Sequence, residues 1–515
     1  MKELLRKPAV ISGVILGLAS LALYTYTLAP GVLAHDSGEW QAAGATLGIS
    51  HAPGSPAYII TAWLFSLVPA GSAAARVNFV SAVMGAAGVV AVYALVYIVL
   101  GRLVPALVSG ISLAAAALWW SHATVANPYN AVPTIIAASL ALLMLWRLSG
   151  DRRLIWAGAL IFGFGLSYHP TLLFFLPVPL AGIFVLGPWR SLINYRTLLV
   201  AAGLFMLGLV FYAYLPVRSS MDPDVLYQKI DSFSSFYRYV SAADARAGGA
   251  HGIADTPPGE IRDRLVEVVT QSYFPSYAFM VFGPAIILLY SEIRTNLGAV
   301  RRPLLFIFGG MLVHVAIVLA VSGVFAQYYM PLLLYFSIWA GFSVYLIMAM
   351  GEAYLGRGNL RRLPAVAVCA LYLAVLLTGV WQKWDFVNHN RNDLMGRYVD
   401  EVLSRAEPGA VVMADWESFT GMLYAQKVDG QRSDIRLISV RTGQWRELLP
   451  LLDEENPGAQ ILLSMTHPYE QEPGVRQLTG VFPLDIKGKT YQDVTHGEPY
   501  PARVTLYEVI DRTGL

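Results

Sequence analysis

The sequence predicts a mainly α-helical, polytopic membrane protein that ends in a small soluble α/β domain. Hydrophobic residues make up 56% of its 515 residues and charged residues only 14%, whereas soluble domains carry about 25% charged residues. The apolar residues form long runs, and a helix needs about 20 of them to cross the hydrocarbon core of a bilayer. Beyond residue 381 the chain is richer in charged residues, prolines and glycines. A membrane domain at residues 1–381 and an α/β domain at residues 382–515 are therefore predicted.

About eleven membrane-spanning helices are predicted in the first domain. The first follows a basic N-terminus, but its apolar run is too long for a signal peptide and no small-residue cleavage site follows it. The fifth and sixth are short and meet at His169-Pro170, where one broken helix is the alternative. The predicted spans are 9–29, 74–100, 103–121, 131–148, 154–168, 171–187, 197–215, 274–291, 303–322, 328–350 and 363–381.

The basic residues predict the orientation of these helices. They lie at the N-terminus and in every second loop after it, whereas the short loops near 121–130, His169 and 323–327 hold no Lys or Arg. Because short cytoplasmic loops collect Lys and Arg, we expect a cytoplasmic N-terminus and an extracytoplasmic C-terminal domain. The protein is thus predicted to be integral to the cell (inner) membrane, with long outside segments at about 30–73 and 217–273.

The C-terminal domain reads as alternating strands and helices. Short apolar runs predict strands at Ala410–Ala414, Ile435–Val440, Ile461–Met465 and Val504–Val509, with a helix at Phe419–Lys427. Asp415-Trp416-Glu417 follows the first strand, and ligands often bind at the carboxyl ends of strands in such sheets. Contact with a substrate and a packing role fit this tripeptide equally well.

Charge and cysteine content exclude other classes of protein. The formal net charge is only +2, so the sequence gives no indication of nucleic-acid binding. The single cysteine, Cys369, lies in an apolar run and has no second thiol for a disulfide or a metal site.

The first outside segment carries the densest group of chemically active residues. His35, Asp36 and Glu39 lie within five residues, directly after the first span. Asp36 and Glu39 are three residues apart, so on a helix they share a face. Carboxylates at a membrane boundary are costly to desolvate and are often functional. The alternative is a capped interfacial helix, with acids near its positive end and no chemistry.

A proline-rich turn and a short apolar run complete this segment. His51-Ala-Pro-Gly-Ser-Pro56 is too rich in proline to be helical. Residues 57–68 are apolar but too short to span, which predicts a helix lying in the membrane interface. Such a platform suits chemistry on a lipid-linked substrate.

These motifs resemble one family of membrane proteins, whose pattern reads Asp-x-Gly-Glu followed by Leu-Gly-x-x-His-x-Pro-Gly-x-Pro. Asp36-Ser-Gly-Glu39 and Leu47-Gly-Ile-Ser-His51-Ala-Pro-Gly-Ser-Pro56 match it. The family includes a eukaryotic transmembrane O-mannosyltransferase of receptor ectodomains and belongs to the GT-C superfamily of glycosyltransferases. Further blocks that match in order are Arg76-Val-Asn78 with Ser81, Gly165–His169, Tyr214–Arg218, and Tyr424–Gln426 with Arg432–Asp434.

The resemblance implies a glycosyltransferase that takes a sugar from a polyprenyl-phosphate carrier. Members use an acidic residue of the first outside segment, and most invert the anomeric carbon. Mannose is the sugar implied, and the acceptor is a protein Ser/Thr hydroxyl or a glycan. Membrane lipids are further expected partners of the protein. One position departs from the family: Asn127 of Asn127-Pro128-Tyr129 stands where a Glu is expected.

The residues fall into catalytic and substrate-binding candidates. A carboxylate must lie within hydrogen-bond reach of the acceptor hydroxyl to take its proton. Asp36 is preferred as this base, with Glu39 as helper or rival. The candidate substrate-binding residues are His35, His51, His169, Tyr129, Arg218 and Arg238. A guanidinium such as Arg218 suits a carrier phosphate, although an ordinary interfacial arginine is the alternative.

No cofactor or metal is predicted. The residue types of His35, Asp36, Glu39 and His51 suit a metal, but a close His-x-x-x-His spacing is missing from this segment. Two other functions fit the sequence less well. A transporter or flippase of lipid-linked sugars would show repeats and polar groups near the membrane midplane, and a sensor would leave the acidic segment unexplained.

Overall fold

The computed structural model describes most of the chain. The described residues are 7–243, 298–321, 326–354, 363–441, 444–466, 474–480, 482–483 and 503–510, together with the single residues 259, 262 and 266. Helices dominate this part of the chain, and a small sheet lies near the C-terminus.

The first domain is built of helices. Short 3-10 segments join several of them, at Pro170–Phe175, Trp189–Leu192, Val210–Ala213, Gly298–Val300 and Ala326–Tyr329. The α-helices are α1 Lys7–Tyr26, α2 His35–Thr46, α3 Pro56–Ser66, α4 Ala73–Leu100, α5 Leu103–Ala115, α6 Ala117–His122, α7 Ala131–Ser149, α8 Arg153–Tyr168, α9 Pro177–Leu186, α10 Tyr195–Leu209, α11 Tyr214–Ser219, α12 Phe233–Val240, α13 Arg301–Val321, α14 Met330–Tyr354 and α15 Leu363–Val387.

Some of these α-helices have the length and apolar composition of membrane spans. Among the described helices, six are long and apolar enough to cross a bilayer. They are Lys7–Tyr26, Ala73–Leu100, Ala131–Ser149, Tyr195–Ser219, Met330–Glu352 and Val366–Val387. The predicted span 303–322 falls largely on the continuous helix α13, and 274–291 lies outside the described residues. The other predicted spans, 103–121, 154–168 and 171–187, correspond to shorter or divided helices.

Two of the divided spans have a local cause. Residues 103–121 form two helices, α5 and α6, because Ala116 between them is extended, with φ −65° and ψ 119°. At the predicted fifth and sixth spans, α8 ends at Tyr168, and the next residue, His169, is extended with φ −156°. Pro170 then opens a 3-10 turn, since proline removes a backbone donor and cannot continue the helix.

Glycine brings the membrane helices close together at α5 and α14. A Cβ added at Gly341 would lie 2.0 Å from Ser109 Oγ and 2.2 Å from the Pro105 carbonyl oxygen. Only a residue without a side chain fits such a crossing, as is common where helices pack in membranes.

A mixed sheet and its covering helices lie near the C-terminus. The elements are α16 Leu394–Arg405, β1 Val411–Ala414, α17 Trp416–Lys427, β2 Arg436–Ser439, α18 Trp445–Glu455, β3 Ile461–Met465, β4 Val475–Gln477, β5 Phe482–Pro483 and β6 Arg503–Val509. The strand order is β2-β1-β3-β6-β4, with β5 paired to β6. β1 is parallel to β2 and β3, whereas β6 is antiparallel to its neighbours β3, β4 and β5. The predicted strands and helix coincide with observed elements.

Alternating residues of the strands give the sheet two apolar faces. Val412 and Leu462 pack with helices α16 and α17 on one face, and Met413 and Leu463 pack with Trp445 of α18 on the other. Val32 and Ala34, which precede α2, also pack against the first face. The sheet domain is therefore docked on the segment that contains Asp36.

Helix α17 makes the closest part of this contact. A Cβ on Gly38 of α2 would lie 2.8 Å from Thr420 Oγ1, so the absence of a side chain there permits the two helices to touch. One turn further along α17, the Tyr424 hydroxyl accepts a hydrogen bond of 2.9 Å from the Ala74 backbone N–H at the start of α4.

Candidate active site around Asp36

The segment that leads into α2 is fixed by two buried amide side chains. Gln41 Oε1 accepts the Leu33 backbone N–H at 2.9 Å, and Gln41 Nε2 donates to Asn78 Oδ1, also at 2.9 Å. Asn78 Nδ2 in turn donates to the Ala29 carbonyl at 2.8 Å. These bonds hold residues 29–33 against α4, so Asn78 braces the first segment.

Glu39 faces inward from α2 and is bound by His51. Only 2% of its surface is exposed. One carboxylate oxygen accepts the His51 backbone N–H at 2.6 Å, and the other is in a short contact with His51 Nδ1. A buried carboxylate needs such partners to offset its lost hydration. The pair joins α2 to the proline-rich turn.

Asp36 lies one helical turn earlier and is more accessible. Its side chain is 30% exposed, and its Oδ1 accepts a hydrogen bond of 2.8 Å from Trp416 Nε1. His35 Nδ1 lies 3.4 Å from the same oxygen. Unlike Glu39, the carboxylate therefore remains open toward solvent or a substrate.

The titratable groups of this cluster influence one another. Burial alone would raise the pKa of Asp36, but the His35 and His51 rings and the Trp416 N–H together lower it. Burial lowers the pKa of His51, yet the charges of Glu39 and Asp36 outweigh burial and raise that pKa to about 9. Burial raises the pKa of Glu39, with the His51 ring opposing and the Asp36 charge adding to the rise. At neutral pH the Asp36 carboxyl is thus ionised and able to accept a proton.

Residues 214–239 clamp the turn that follows α2. The Tyr214 hydroxyl lies 2.7 Å from the carbonyl oxygens of both Leu47 and Gly48, which share its single O–H donor. The backbone of Ile49 pairs with the strand-like stretch at Val225 and Tyr227, through bonds of 2.8 and 2.9 Å. The second predicted outside segment therefore positions the first.

Arg218 belongs to the same clamp. Its Nε donates to the Leu47 carbonyl at 2.7 Å, and its Nη2 to the Thr46 carbonyl at 3.3 Å. It thereby satisfies carbonyls at the C-terminal end of α2, where a cation is favourable. A bidentate bond to a carrier phosphate would need two guanidinium N–H donors, and the donors at Nε and Nη2 are engaged in this capping.

A second group of aromatic and histidine rings lies beside His51. The ring centroids of Tyr129 and His169 are 5.5 Å apart, and those of Trp40 and His51 are 5.1 Å apart. Burial and the nearby His51 charge lower the pKa of His169 to about 3, so its ring is neutral. His169 Nδ1 is within 2.7 Å of Thr171 Oγ1, which orients the ring.

Asn127 has a structural task at the position where the family pattern expects Glu. Its Nδ2 donates to the carbonyls of His122 and Val125 at 2.7 and 2.9 Å, and its Oδ1 accepts the Tyr129 N–H at 3.0 Å. A carboxylate has no donor for those two carbonyls. Asn127 therefore fixes the loop before α7, and Ser37 Oγ reaches the same loop by donating to the Ala126 carbonyl at 3.0 Å.

The structure thus brings some of the candidate residues together and not others. Asp36, Glu39, His35 and His51 form one cluster, and Tyr129 and His169 lie next to it. Arg238 is exposed on the surface of α12. Among the described residues, no group of three His, Cys, Asp or Glu side chains is arranged to hold a metal ion.

Trp416 is a residue of this site whose contact with Asp36 the local sequence does not reveal. Trp416 lies 380 positions from Asp36 in the chain and donates a hydrogen bond to it. Its place after the first strand of the predicted sheet was a signal for ligand contact, but the partner was not deducible from local sequence.

A family match covers the region of this cluster. Residues 36–191 match the family model described as Protein O-mannosyl-transferase TMEM260 N-terminal domain. The matched region contains Asp36, Glu39, His51, Tyr129 and His169. The resemblance seen in the sequence motifs is confirmed for this region.

Solved structures extend the likeness to almost the whole chain. ArnT from Cupriavidus metallidurans, bound to undecaprenyl phosphate, is 12% identical with a TM-score of 0.58, over 99% of this chain and 100% of that one. The archaeal oligosaccharyltransferase AglB from Archaeoglobus fulgidus, in complex with an inhibitory peptide and a dolichol-phosphate, is 9% identical with a TM-score of 0.53. That match covers 88% of this chain and 69% of AglB. The chain therefore shares its overall fold with these two structures, and residues 36–191 also match the O-mannosyl-transferase domain model.

Proposed function

We propose that the protein transfers a sugar, with mannose as the first candidate, from a polyprenyl-phosphate carrier to an acceptor hydroxyl. The acceptor is a protein Ser/Thr or a glycan on the outer face of the membrane. The observation that carries this proposal is the ionised, partly exposed Asp36 within the family-matched region. The lipid phosphates bound by ArnT and AglB support a carrier of the same chemistry here.

Asp36 is proposed as the general base of an inverting displacement. The acceptor oxygen attacks the anomeric carbon of the donor while its proton passes to the Asp36 carboxylate. The bond between the anomeric carbon and the phosphate oxygen breaks, and the polyprenyl phosphate leaves with the bonding electron pair. One base suffices for this reaction, and neither a metal nor another cofactor is part of the proposal.

Glu39 is proposed to act through His51 instead of taking the proton itself. Its two oxygens are engaged by the backbone and ring of His51, and its burial leaves no approach for an acceptor. The pair fixes the turn and places a positive ring near Asp36. A cationic His51, with the neighbouring Tyr129 and His169, is the proposed environment of the donor phosphate and sugar.

Different roles are proposed for the other candidate binding residues. His35 lies at the accessible edge of the cluster and is proposed to contact the acceptor. Arg218 and Arg238 were predicted to bind phosphate, and the capping bonds of Arg218 favour a positioning role for it. Arg238 stays a candidate on the exposed face of α12.

The proposed orientation follows the distribution of basic residues. With eleven crossings and a cytoplasmic N-terminus, the segments that contain Asp36, Arg218 and Trp416 all lie on the extracytoplasmic side. The contacts among these segments, such as Trp416 with Asp36 at 2.8 Å, require a common side and agree with this arrangement. The cell membrane is the proposed location.

The test is turnover by purified full-length protein given a polyprenyl-phosphate mannose and a Ser/Thr-containing acceptor peptide or a glycan. Free carrier phosphate and glycosylated product are measured for the wild type, Asp36→Asn and Asp224→Asn, an exposed control. We expect Asp36→Asn to lose about 100-fold or more in rate and the control to keep wild-type turnover. Absence of turnover with polyprenyl-phosphate sugars would contradict the donor class, and full activity of Asp36→Asn would remove Asp36 as the base.

A further inference from the structure

The start of helix α17 is held rigidly beside the candidate active site. Asp415, which precedes the helix, accepts the Ser418 backbone N–H with Oδ1 at 3.4 Å and the Ser418 hydroxyl at 3.0 Å. Its other oxygen accepts the Thr466 backbone N–H after β3. These bonds tie the first turn of α17 to the ends of two parallel strands. The direction of the next side chain, Trp416, is therefore set by the sheet.

Trp416 lies where three distant segments of the chain meet. Its ring centroid is 6.1 Å from that of His51 and 6.0 Å from that of Tyr227, with interplanar angles of 87° and 90°. Edge-to-face contacts of this kind are favourable for aromatic rings. Phe419 of the same helix stacks on the indole, with a centroid distance of 6.2 Å. The indole is thus enclosed by rings from the first segment, the second segment and its own helix.

The polar atom of the indole contacts the candidate base. Trp416 Nε1 donates to Asp36 Oδ1 at 2.8 Å, and His35 Nδ1 also lies nearest that oxygen. Both contacts fall on one carboxylate oxygen, which leaves Oδ2 for the acceptor hydroxyl. A carboxylate fixed by a donor on one oxygen presents the other in one orientation, and such preorganisation favours proton transfer.

We propose that Trp416 is a positioning residue for Asp36, so that the C-terminal α/β domain completes the active site of the membrane domain. The inference rests on the proposed role of Asp36 as the base. It goes beyond that role because the family match ends at residue 191 and assigns no part in the reaction to the C-terminal domain.

Loss of the indole N–H donor should shift the pKa of Asp36 in one direction, and this shift can be measured. The titratable groups facing Asp36 are His35 on its own helix, Glu39 and His51 beneath it, Tyr227 of the second segment and Glu417 of α17. A hydrogen bond to the charged form lowers the pKa of a carboxyl. Removal of that bond in Trp416→Phe therefore raises the pKa of Asp36, and the acidic limb of the activity profile moves to higher pH.

The experiment compares Trp416→Phe with Trp445→Phe in the full-length protein. Trp445 belongs to the apolar cluster on the other face of the same sheet, so its variant controls for loss of a core tryptophan. We expect Trp416→Phe to lower kcat by about tenfold or more, as for loss of a hydrogen bond to a charged group, and to shift the acidic limb upward. The KM for the donor should change little, and Trp445→Phe should keep the wild-type pH profile.

A second measurement covers the case in which Trp416→Phe fails to fold. In wild-type protein with ¹⁵N-labelled tryptophan, the Trp416 indole N–H resonance should move as Asp36 titrates, and this movement should vanish in Asp36→Asn. Wild-type kcat and pH profile in Trp416→Phe, or an indole resonance that does not follow Asp36, would overturn the inference. If Asp36→Asn itself is fully active, the proposed function fails instead, so the two failures are distinguishable.

Discussion

Glu39 and His51 make two contacts across twelve positions of the chain: a bond from the His51 backbone N–H to Oε1 at 2.6 Å and a ring contact to Oε2. The carboxylate is almost fully buried, whereas 22% of the His51 side chain is exposed. Burial of one charge without the other would be costly, because the lost hydration would not be replaced. The pair therefore fixes the proline-rich turn to α2, and Asp36 lies one turn away on the same helix.

Glu39→Gln tests this role. Glutamine keeps a hydrogen-bond acceptor but loses the charge, so the pKa of His51, which the Glu39 charge raises, should fall. We expect the free energy of unfolding to drop by about 1–3 kcal/mol and turnover to fall with it. Thermal unfolding in detergent and steady-state rates measure both effects. Glu401→Gln, at a surface ion pair with Arg405, is the control and should change stability by less than about 1 kcal/mol.

The Glu39–His51 pair should also make the stability of the folded protein decrease with pH in the alkaline range. The pKa of His51 is raised to about 9 from a usual value of 6.5. A group whose pKa is higher in the folded protein stabilises it fully below its unfolded pKa and loses that effect as pH rises through the folded value. We therefore expect the Tm advantage of wild type over His51→Gln to be largest below about pH 6.5 and to shrink as pH rises toward 9. A constant difference from pH 6 to 10 would contradict a charged His51.

Much of the fold was predictable from local pattern. Apolar run length gave α1, α4, α7 and α14 with nearly the observed ends, and short β-type runs gave the strands of the sheet. The family spacing also placed Glu39 and His51 in one motif, although not in direct contact. These features depend on neighbouring residues and on burial in a bilayer. Both are visible in the local sequence as runs of apolar residues.

Long-range contacts set the rest of the site, and local pattern carries no record of them. Trp416 reaches Asp36 only because the sheet domain docks on residues 32–38. Arg218 looked like a phosphate ligand at a helix exit, but the carbonyls of Thr46 and Leu47 take its donors. The sequence shows that the guanidinium of Arg218 lies near a membrane boundary. Its hydrogen-bond partners, however, depend on how distant segments of the chain pack.

Asn127→Asp tests the departure from the family pattern. The side-chain amide donates to two carbonyls, and an aspartate would present oxygens to them instead. The loop before α7 should loosen, and the free energy of unfolding should fall by about 2–3 kcal/mol. The control is Asn194→Asp, because exposed Asn194 only accepts the Arg196 N–H at a helix start and aspartate serves equally there. Equal stability of both variants would show that the amide donors are unimportant.

Arg218→Lys separates capping from phosphate binding. Lysine keeps the charge but lacks the planar fork that reaches two carbonyls at once. If Arg218 chiefly caps α2, the variant should lose about 1 kcal/mol of stability while the KM for the lipid-linked donor stays near wild type. Unfolding temperature and donor titration are measured on the same preparation. A large rise in donor KM at unchanged stability would instead assign Arg218 to the carrier phosphate.

Gly38→Ala tests whether the docked C-terminal domain is needed for activity. A methyl group at this position would lie 2.3 Å from the Leu33 carbonyl oxygen and 2.8 Å from Thr420 Oγ1, so both the Leu33 backbone and α17 must move away from α2. The bond from Trp416 to Asp36 should lengthen, and turnover should fall by about tenfold while each domain stays folded. Hydrogen exchange of residues 416–427 reports the loosened contact, which should be faster in the variant. Gly31→Ala is the matched control, because a Cβ there meets no atom within 4 Å, and it should leave both exchange and turnover unchanged. Wild-type turnover in Gly38→Ala together with faster exchange would mean that docking of α17 contributes nothing to the reaction.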